Sequence, residues 1–143
     1  MSLFNVFDVA GSALNAQSIR MNTTASNLAN SESVSGDASK VYKARHPVFQ
    51  SMIRNEDSFA MPDDEAASVG VKVLGIVESQ APAQMQYQPG NPAANKDGYI
   101  FNSNVNAIEE MTNMISASRS FQTNIDAMNT ARDLLLKTIS MGH

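Results

Sequence analysis

Apolar positions recur at both ends of the chain with the spacing of a coiled-coil helix. In the first segment, to about Asn30, steps of four and three residues alternate along Leu3, Phe7, Ala10, Leu14, Gln17, Met21, Thr24 and Leu28. From about Val105, the same alternation runs along Met111, Met114, Ser118, Phe121, Ile125, Met128, Arg132, Leu135 and Ile139. Each pattern predicts a long helix with one stripe facing a partner helix.

Polar residues at the ends of these segments fit helix termini. Ser2 is a candidate N-cap of the first helix. Asn106, followed three residues later by Glu109, predicts a capping box at the start of the last helix, and Asn104 is an earlier alternative. Gly142 suits the end of that helix.

The region between the helices is rich in strand and turn signals. Residues 41–53 and 69–78 contain β-branched and aromatic residues and predict strands. Residues 89–92 and 97–98 carry the Pro, Gly, Asn and Asp typical of turns, and residues 99–101 then predict a short extended segment.

These elements predict a mainly α fold with a small β insert. The long N- and C-terminal helices pair as a coiled-coil-like domain, which residues 1–30 and 104–143 form together. Residues 31–103 form the short β-rich middle region, with its loops.

Composition and charge exclude several classes of protein. The formal net charge is -4 at pH 7 and the basic residues are scattered, which argues against nucleic-acid binding. The absence of cysteine excludes thiol catalysis and Cys-type zinc sites. The first basic residue is Arg20 and no long apolar run exists, so we expect neither a cleaved signal peptide nor insertion into a membrane.

Candidate catalytic and metal-binding chemistry is sparse. His46 and His143 have no Asp or Glu at ligand spacing beside them. No nucleophile elbow, Walker loop or dinucleotide fingerprint is present. We therefore expect no cofactor, no metal and no enzymatic activity; a small hydrolase using His46 is the competing interpretation.

Both helical segments have unusually few charges. Residues 9–19 and 112–118 contain no charged side chain, and the polar residues there are mostly Asn, Ser and Thr. Such helices are marginal in isolation, and uncharged polar groups can be buried between helices without the desolvation cost of a charge. The pattern predicts burial against neighbouring subunits, for which the candidates are Asn15, Ser18, Asn22, Asn124 and Asn129.

Short motifs resemble those of the flagellar rod and hook axial protein superfamily. Near the N-terminus these are Ala-Gln-Ser-Ile-Arg-Met at residues 16–21 and Leu-Ala-Asn at residues 28–30. The matching C-terminal positions are residues 104–106, 110–111, 114–115, 117–122 and 124. The middle region matches at residues 42–45, 70–73, 87–92 and 98–99. Two departures are Phe121, where the family usually has Tyr, and Ser103, where Pro is common.

The resemblance implies a structural subunit of the proximal rod, since the insert is smaller than in distal-rod and hook proteins. It implies a location in the periplasmic rod of the basal body, and secretion by the flagellar type III export apparatus without a cleaved signal peptide. The implied partners are copies of itself, other proximal rod proteins, the rod adaptor near the MS ring and export gate, and the distal rod protein.

The expected seam and assembly residues come from two sources. Helical spacing selects Leu14, Met21, Leu28, Ile125, Met128 and Leu135. The motifs add Asn30, Asn104, Val105, Met111, Met114, Arg119, Phe121, Gln122 and Asn124. The helical pattern alone also permits a non-flagellar coiled-coil adaptor or a secretion-associated protein, which would form a small oligomer and no rod.

Overall fold

The computed structural model describes residues 3–53 and 69–141 of the chain. In chain order the elements are α1 (Leu3–Ala29), β1 (Val34–Ser35), β2 (Arg45–Ile53), β3 (Val69–Glu78), β4 (Gln84–Tyr87), β5 (Tyr99–Asn102) and α2 (Ala107–Met141). The predicted class, two long terminal helices around a small β region, is confirmed. The expected end residues Ser2 and Gly142 lie outside the described part of the chain.

Asparagine side chains form hydrogen bonds at the C-terminal end of α1 and at the N-terminal end of α2. At the end of α1, Nδ2 of Asn30 donates a hydrogen bond of 2.8 Å to the Ser26 carbonyl. At the start of α2, Oδ1 of Asn106 accepts hydrogen bonds from the backbone amides of Ile108 and Glu109, at 3.1 and 3.4 Å. Asn106 is therefore the N-cap, as predicted, because it satisfies amides that have no partner within the helix.

The strands form two small sheets. The first has the order β1-β5-β4, with both pairs antiparallel; Ser35 lies opposite Phe101, and Tyr87 lies opposite Tyr99. The second contains β2 and β3 as neighbours. Strands β2, β3 and β5 fall within or on the predicted strand segments, whereas β1 and β4 were not predicted because they are short and polar.

A tight turn before β5 depends on glycine. Gly98 has a φ of 78°, which favours glycine, and its amide and carbonyl are hydrogen-bonded to Asn95 and Gln88. A Cβ at this position would lie 2.9 Å from Cε2 of Tyr87 and 3.1 Å from Cβ of Pro89. The ring of Tyr87 also packs edge-on against Tyr99, with centroids 5.1 Å apart.

We expect Gly98→Ala to lower the free energy of unfolding by about 2 kcal/mol, because it combines a strained backbone with a close contact. Urea denaturation of the purified chain measures this change. Gly90→Ala is the matched control, since no atom lies within 4 Å of its added Cβ. Equal stability of the two variants would contradict the proposed strain.

Contacts divide the chain into two compact units, each with parts of both helices. The first unit comprises Met1–Ile19, Val48–Gly75 and Ala117–His143. Its buried side chains in the described residues are small: Ala10, Ala16, Ala117 and Ala131. Within it, the hydroxyl of Ser12 accepts a hydrogen bond of 3.1 Å from the Val71 amide, so α1 holds the start of β3.

The second unit comprises Arg20–Pro47 and Ile76–Ser116. Its buried residues include only a few apolar side chains, Val41, Ala44 and Ile100. The others are polar: Thr23, Thr24, Asn27, Ser103 and Glu110. Because buried polar groups require partners, the hydrogen bonds of these residues determine how this unit is built.

Candidate assembly interface

The stripe that α2 buries within the chain differs slightly from the predicted one. Its buried members are Glu110, Ala117 and Ala131. Each lies one residue before a predicted position, and those three positions, Met111, Ser118 and Arg132, are exposed. The half-buried members of the stripe are Met114, Phe121, Asn124, Met128 and Leu135. We call this set of eight residues the inner stripe of α2; it retains the alternation of four and three.

The inner stripe of α1 follows the predicted positions. Its described members are Phe7, Ala10, Leu14, Gln17, Met21, Thr24 and Leu28, and each is buried or half-buried. A direct contact between the helices lies in the second unit, where Nη2 of Arg20 donates a hydrogen bond of 3.2 Å to Oδ1 of Asn113.

The remaining predicted assembly residues fall into two groups. Asn30, Val105 and Ile125 are half-buried. Met111, Arg119 and Gln122 are exposed. No hydrogen bond or ion pair joins the guanidinium group of Arg119 or Arg132 to any residue of the described ranges 3–53 and 69–141. Their contact with adjacent subunits stays a prediction.

Asn27 organises the polar core of the second unit. Its side chain is 1% exposed. Its Nδ2 donates to the Arg45 carbonyl at 2.8 Å, while Oδ1 accepts from the Arg45 amide at 2.9 Å and from the Tyr42 hydroxyl at 3.0 Å. One amide group thus pairs with both backbone groups of a residue distant in sequence, and so fixes the start of β2 against α1.

Asn104 binds the residue just before Arg45. Its Oδ1 accepts from the Ala44 amide at 2.7 Å, and its Nδ2 donates to the Ala81 carbonyl at 2.9 Å. Asn104 therefore links three loops. The cap of α2 is Asn106 and not Asn104, the earlier alternative. Sequence reasoning did not select Asn27, although its place beside Leu28 and Ala29 near the end of α1 was an available signal.

Tyr42 and Arg45 complete the cluster. The Arg45 guanidinium lies 5.5 Å from the centre of the Tyr42 ring and forms an exposed ion pair of 3.0 Å with Glu78. Burial raises the pKa of the Tyr42 hydroxyl above 10.0; Arg45 opposes this, and the Glu110 and Glu78 carboxylates reinforce it.

We expect the stability of the chain to decrease in alkali through Tyr42. A raised folded pKa gives a contribution that is fully present below pH 10.0 and is lost as the pH rises through the folded pKa. Tyr42→Phe should remove this part of the alkaline slope, which urea denaturation from about pH 8 to 11 would measure. Tyr87→Phe, an exposed control, should keep it; identical slopes for wild type and Tyr42→Phe would contradict the assignment.

In residues 3–53 and 69–141, no three His, Cys, Asp or Glu side chains are grouped closely enough to hold a metal ion. Neither described helix is long and apolar enough to cross a membrane.

Comparison with known proteins covers the whole chain. Residues 7–36 match the family model for flagella basal body rod proteins, and residues 96–141 match the model for the flagellar basal body rod FlgEFG protein C-terminal region. The chain is 48% identical over 142 residues to the flagellar basal-body rod protein FlgC of Salmonella typhimurium, which covers 99% of both chains. This chain belongs to the FlgC family of flagellar basal-body rod proteins.

Other members of the FlgC family agree with this assignment. The FlgC protein of Escherichia coli O157:H7 is 48% identical, and that of Yersinia enterocolitica is 46% identical; each match covers 99% of both chains. The two matched models include α1 and α2 almost entirely. Family membership thus makes the chain a flagellar rod component of the basal body.

Proposed function

We propose that this chain is a structural subunit of the proximal rod, which transmits motor torque to the distal rod and hook. The observation that carries the proposal is the exposed apolar face of α2 in a chain that matches rod proteins from end to end. Ile108, Met111 and Ile115 on this face are 77%, 52% and 56% exposed. Exposed apolar side chains at helical spacing are typical of surfaces that bind another helix.

The two helices supply the axial contacts in this proposal. Residues 1–30 and 104–143 act as one helical domain, and residues 31–103 form an insert on it. The hydrogen bond between Arg20 and Asn113 supports the pairing. Long helices packed side by side share shear over many contacts, which suits a part that carries torque.

The expected neighbours are other copies, the other proximal rod proteins, the adaptor near the MS ring and export gate, and the distal rod protein. The subunit reaches the periplasm through the flagellar type III export apparatus without a cleaved signal peptide. Its role is structural and involves neither enzymatic activity nor a cofactor. The full-length match to rod proteins favours this role over a non-flagellar coiled-coil adaptor.

Deletion of the gene tests the proposal. We expect non-motile cells whose basal bodies, examined by electron microscopy, retain membrane rings and lack a complete rod. Complementation with the intact chain should restore both rod and swimming, and an empty vector is the control. Normal rods and normal swimming in the deletion strain would overturn the proposal in favour of an adaptor.

A further inference from the structure

Each helix carries a second stripe immediately beside its inner stripe. On α2, the outer stripe consists of Ile108, Met111, Ile115, Ser118, Gln122, Ile125, Asn129, Arg132, Leu136 and Ile139. All are exposed except Ile125, which is half-buried. From Met111 to Leu136, each follows an inner-stripe residue by one position, or about 100° around the helix. The outer stripe therefore has coiled-coil spacing of its own and lies beside the inner one.

The outer stripe of α1 has the same relation to its inner stripe. Its members are Asp8, Gly11, Asn15, Ser18, Asn22, Ala25 and Ala29, all exposed except the half-buried Ser18. These side chains are short, whereas the apolar members of the α2 outer stripe are long. A row of long side chains packs well into the groove left by a row of short ones.

Within the second unit, the two outer stripes are complementary in size. α2 presents the exposed side chains of Ile108, Met111 and Ile115 as a ridge. α1 presents Ala25 and Ala29 as a shallow, exposed surface. Because every copy exposes both surfaces, the α2 ridge of one copy can pack into the α1 groove of another.

Within the first unit, the outer stripes are complementary in charge. Asp8 is the one acidic residue of α1, and Arg132 is the one charged member of the α2 outer stripe. The amide side chains Asn15 and Gln122 are both exposed there and can pair by hydrogen bonds.

The order of residues along the helices gives the direction of pairing. From its N-terminal end, the α2 stripe runs from long apolar residues through amides to Arg132. The α1 stripe runs from Asp8 through amides to alanines. Only an antiparallel arrangement brings the matching ends together: with Met111 opposite Ala25, Gln122 lies beside Asn15 and Arg132 lies about one helical turn from Asp8.

We propose that the outer stripe of α2 docks antiparallel on the outer stripe of α1 of a second copy of this chain; this rests on the proposed rod function. The two stripes are different surfaces, so the contact is heterologous and leaves a free groove on the first copy and a free ridge on the second. Such a contact repeats from copy to copy, as a ring or helical assembly requires.

Disulfide cross-linking between differently tagged copies tests the pairing. The chain has no cysteine of its own, so an introduced pair is the only pair in this protein. One copy carries Ala25→Cys and the other carries Met111→Cys, and both are expressed in the deletion strain. We expect isolated basal bodies to contain a disulfide-linked dimer with both tags, because the Cα atoms of paired stripes approach to about 6 Å.

The control pair is Ser26→Cys with Glu109→Cys, two exposed positions of the same helices outside both stripes; it should give no mixed dimer. If both tagged chains are present in basal bodies and no mixed dimer forms, the pairing is overturned. If a tagged chain that carries no substitution is absent from basal bodies, the proposed rod function is overturned instead.

A second measurement does not depend on cysteine. A photo-crosslinking residue placed at Gln122 should join two copies of the chain, giving an adduct of twice its mass. An adduct only with a protein of another mass would show that a different rod subunit covers the stripe, and would overturn the assignment to a second copy.

Discussion

Cells that carry Ala117→Asp as their only copy of this gene are expected to be non-motile. Ala117 is 0% exposed, the lowest exposure among the buried residues that the structure describes. A carboxylate there would be buried without a partner, at a cost on the order of 4 kcal/mol in each subunit. Because every copy in a rod would carry this cost, assembly should fail; swimming in soft agar measures the result.

The preceding residue provides a matched control. Ser116 is exposed and lies on the side of α2 that belongs to neither stripe. Ser116→Asp adds the same charge to the same turn of the helix, so cells that carry it should keep most of their motility. Normal swimming of cells with Ala117→Asp, at wild-type levels of the protein, would show that the inner stripe is not closely packed in the assembled rod.

Replacement of Asn27 with alanine is expected to lower the free energy of unfolding of the purified chain by roughly 2–4 kcal/mol. The change leaves the amide and carbonyl of Arg45 and the hydroxyl of Tyr42 without their partner. A buried polar group that loses its partner costs more free energy than its hydrogen bond contributes, because the group has already lost its contact with water.

Urea denaturation followed by circular dichroism measures the change at Asn27. Asn22→Ala is the control, since Asn22 is exposed on the same helix, and its effect should be within about 0.5 kcal/mol. If the two substitutions have the same effect, then Asn27 does not hold the start of β2, and the polar core must be stabilised by Asn104.

The inner stripe of α1 and the ends of the elements were largely predictable from sequence. The capping residue Asn106 and the bounds of β3 were predicted directly, because caps and β-branched runs are local signals. On α2 the periodicity favoured large side chains such as Met111. The chain instead buries a stripe that begins one residue earlier, includes the small residues Ala117 and Ala131, and has the same alternation of four and three.

The network around Asn27 and Asn104 could not be predicted in the same way. Its partners lie 15 to 18 residues from Asn27, and 60 and 23 residues from Asn104. Such pairs depend on the arrangement of loops in space, which no local pattern encodes. The family motifs at residues 42–45 and 104–106 mark these positions, and their contacts here lie within one chain.

The polar core of the second unit also bears on its response to ionic strength. The hydrogen bonds of Asn27 and Asn104 are made by neutral amide, hydroxyl and backbone groups. Dissolved ions screen interactions between charges and leave such neutral bonds almost unchanged. The ion pair between Arg45 and Glu78 is exposed and contributes little. We therefore expect the internal geometry of the second unit to stay the same in dilute and in saline surroundings.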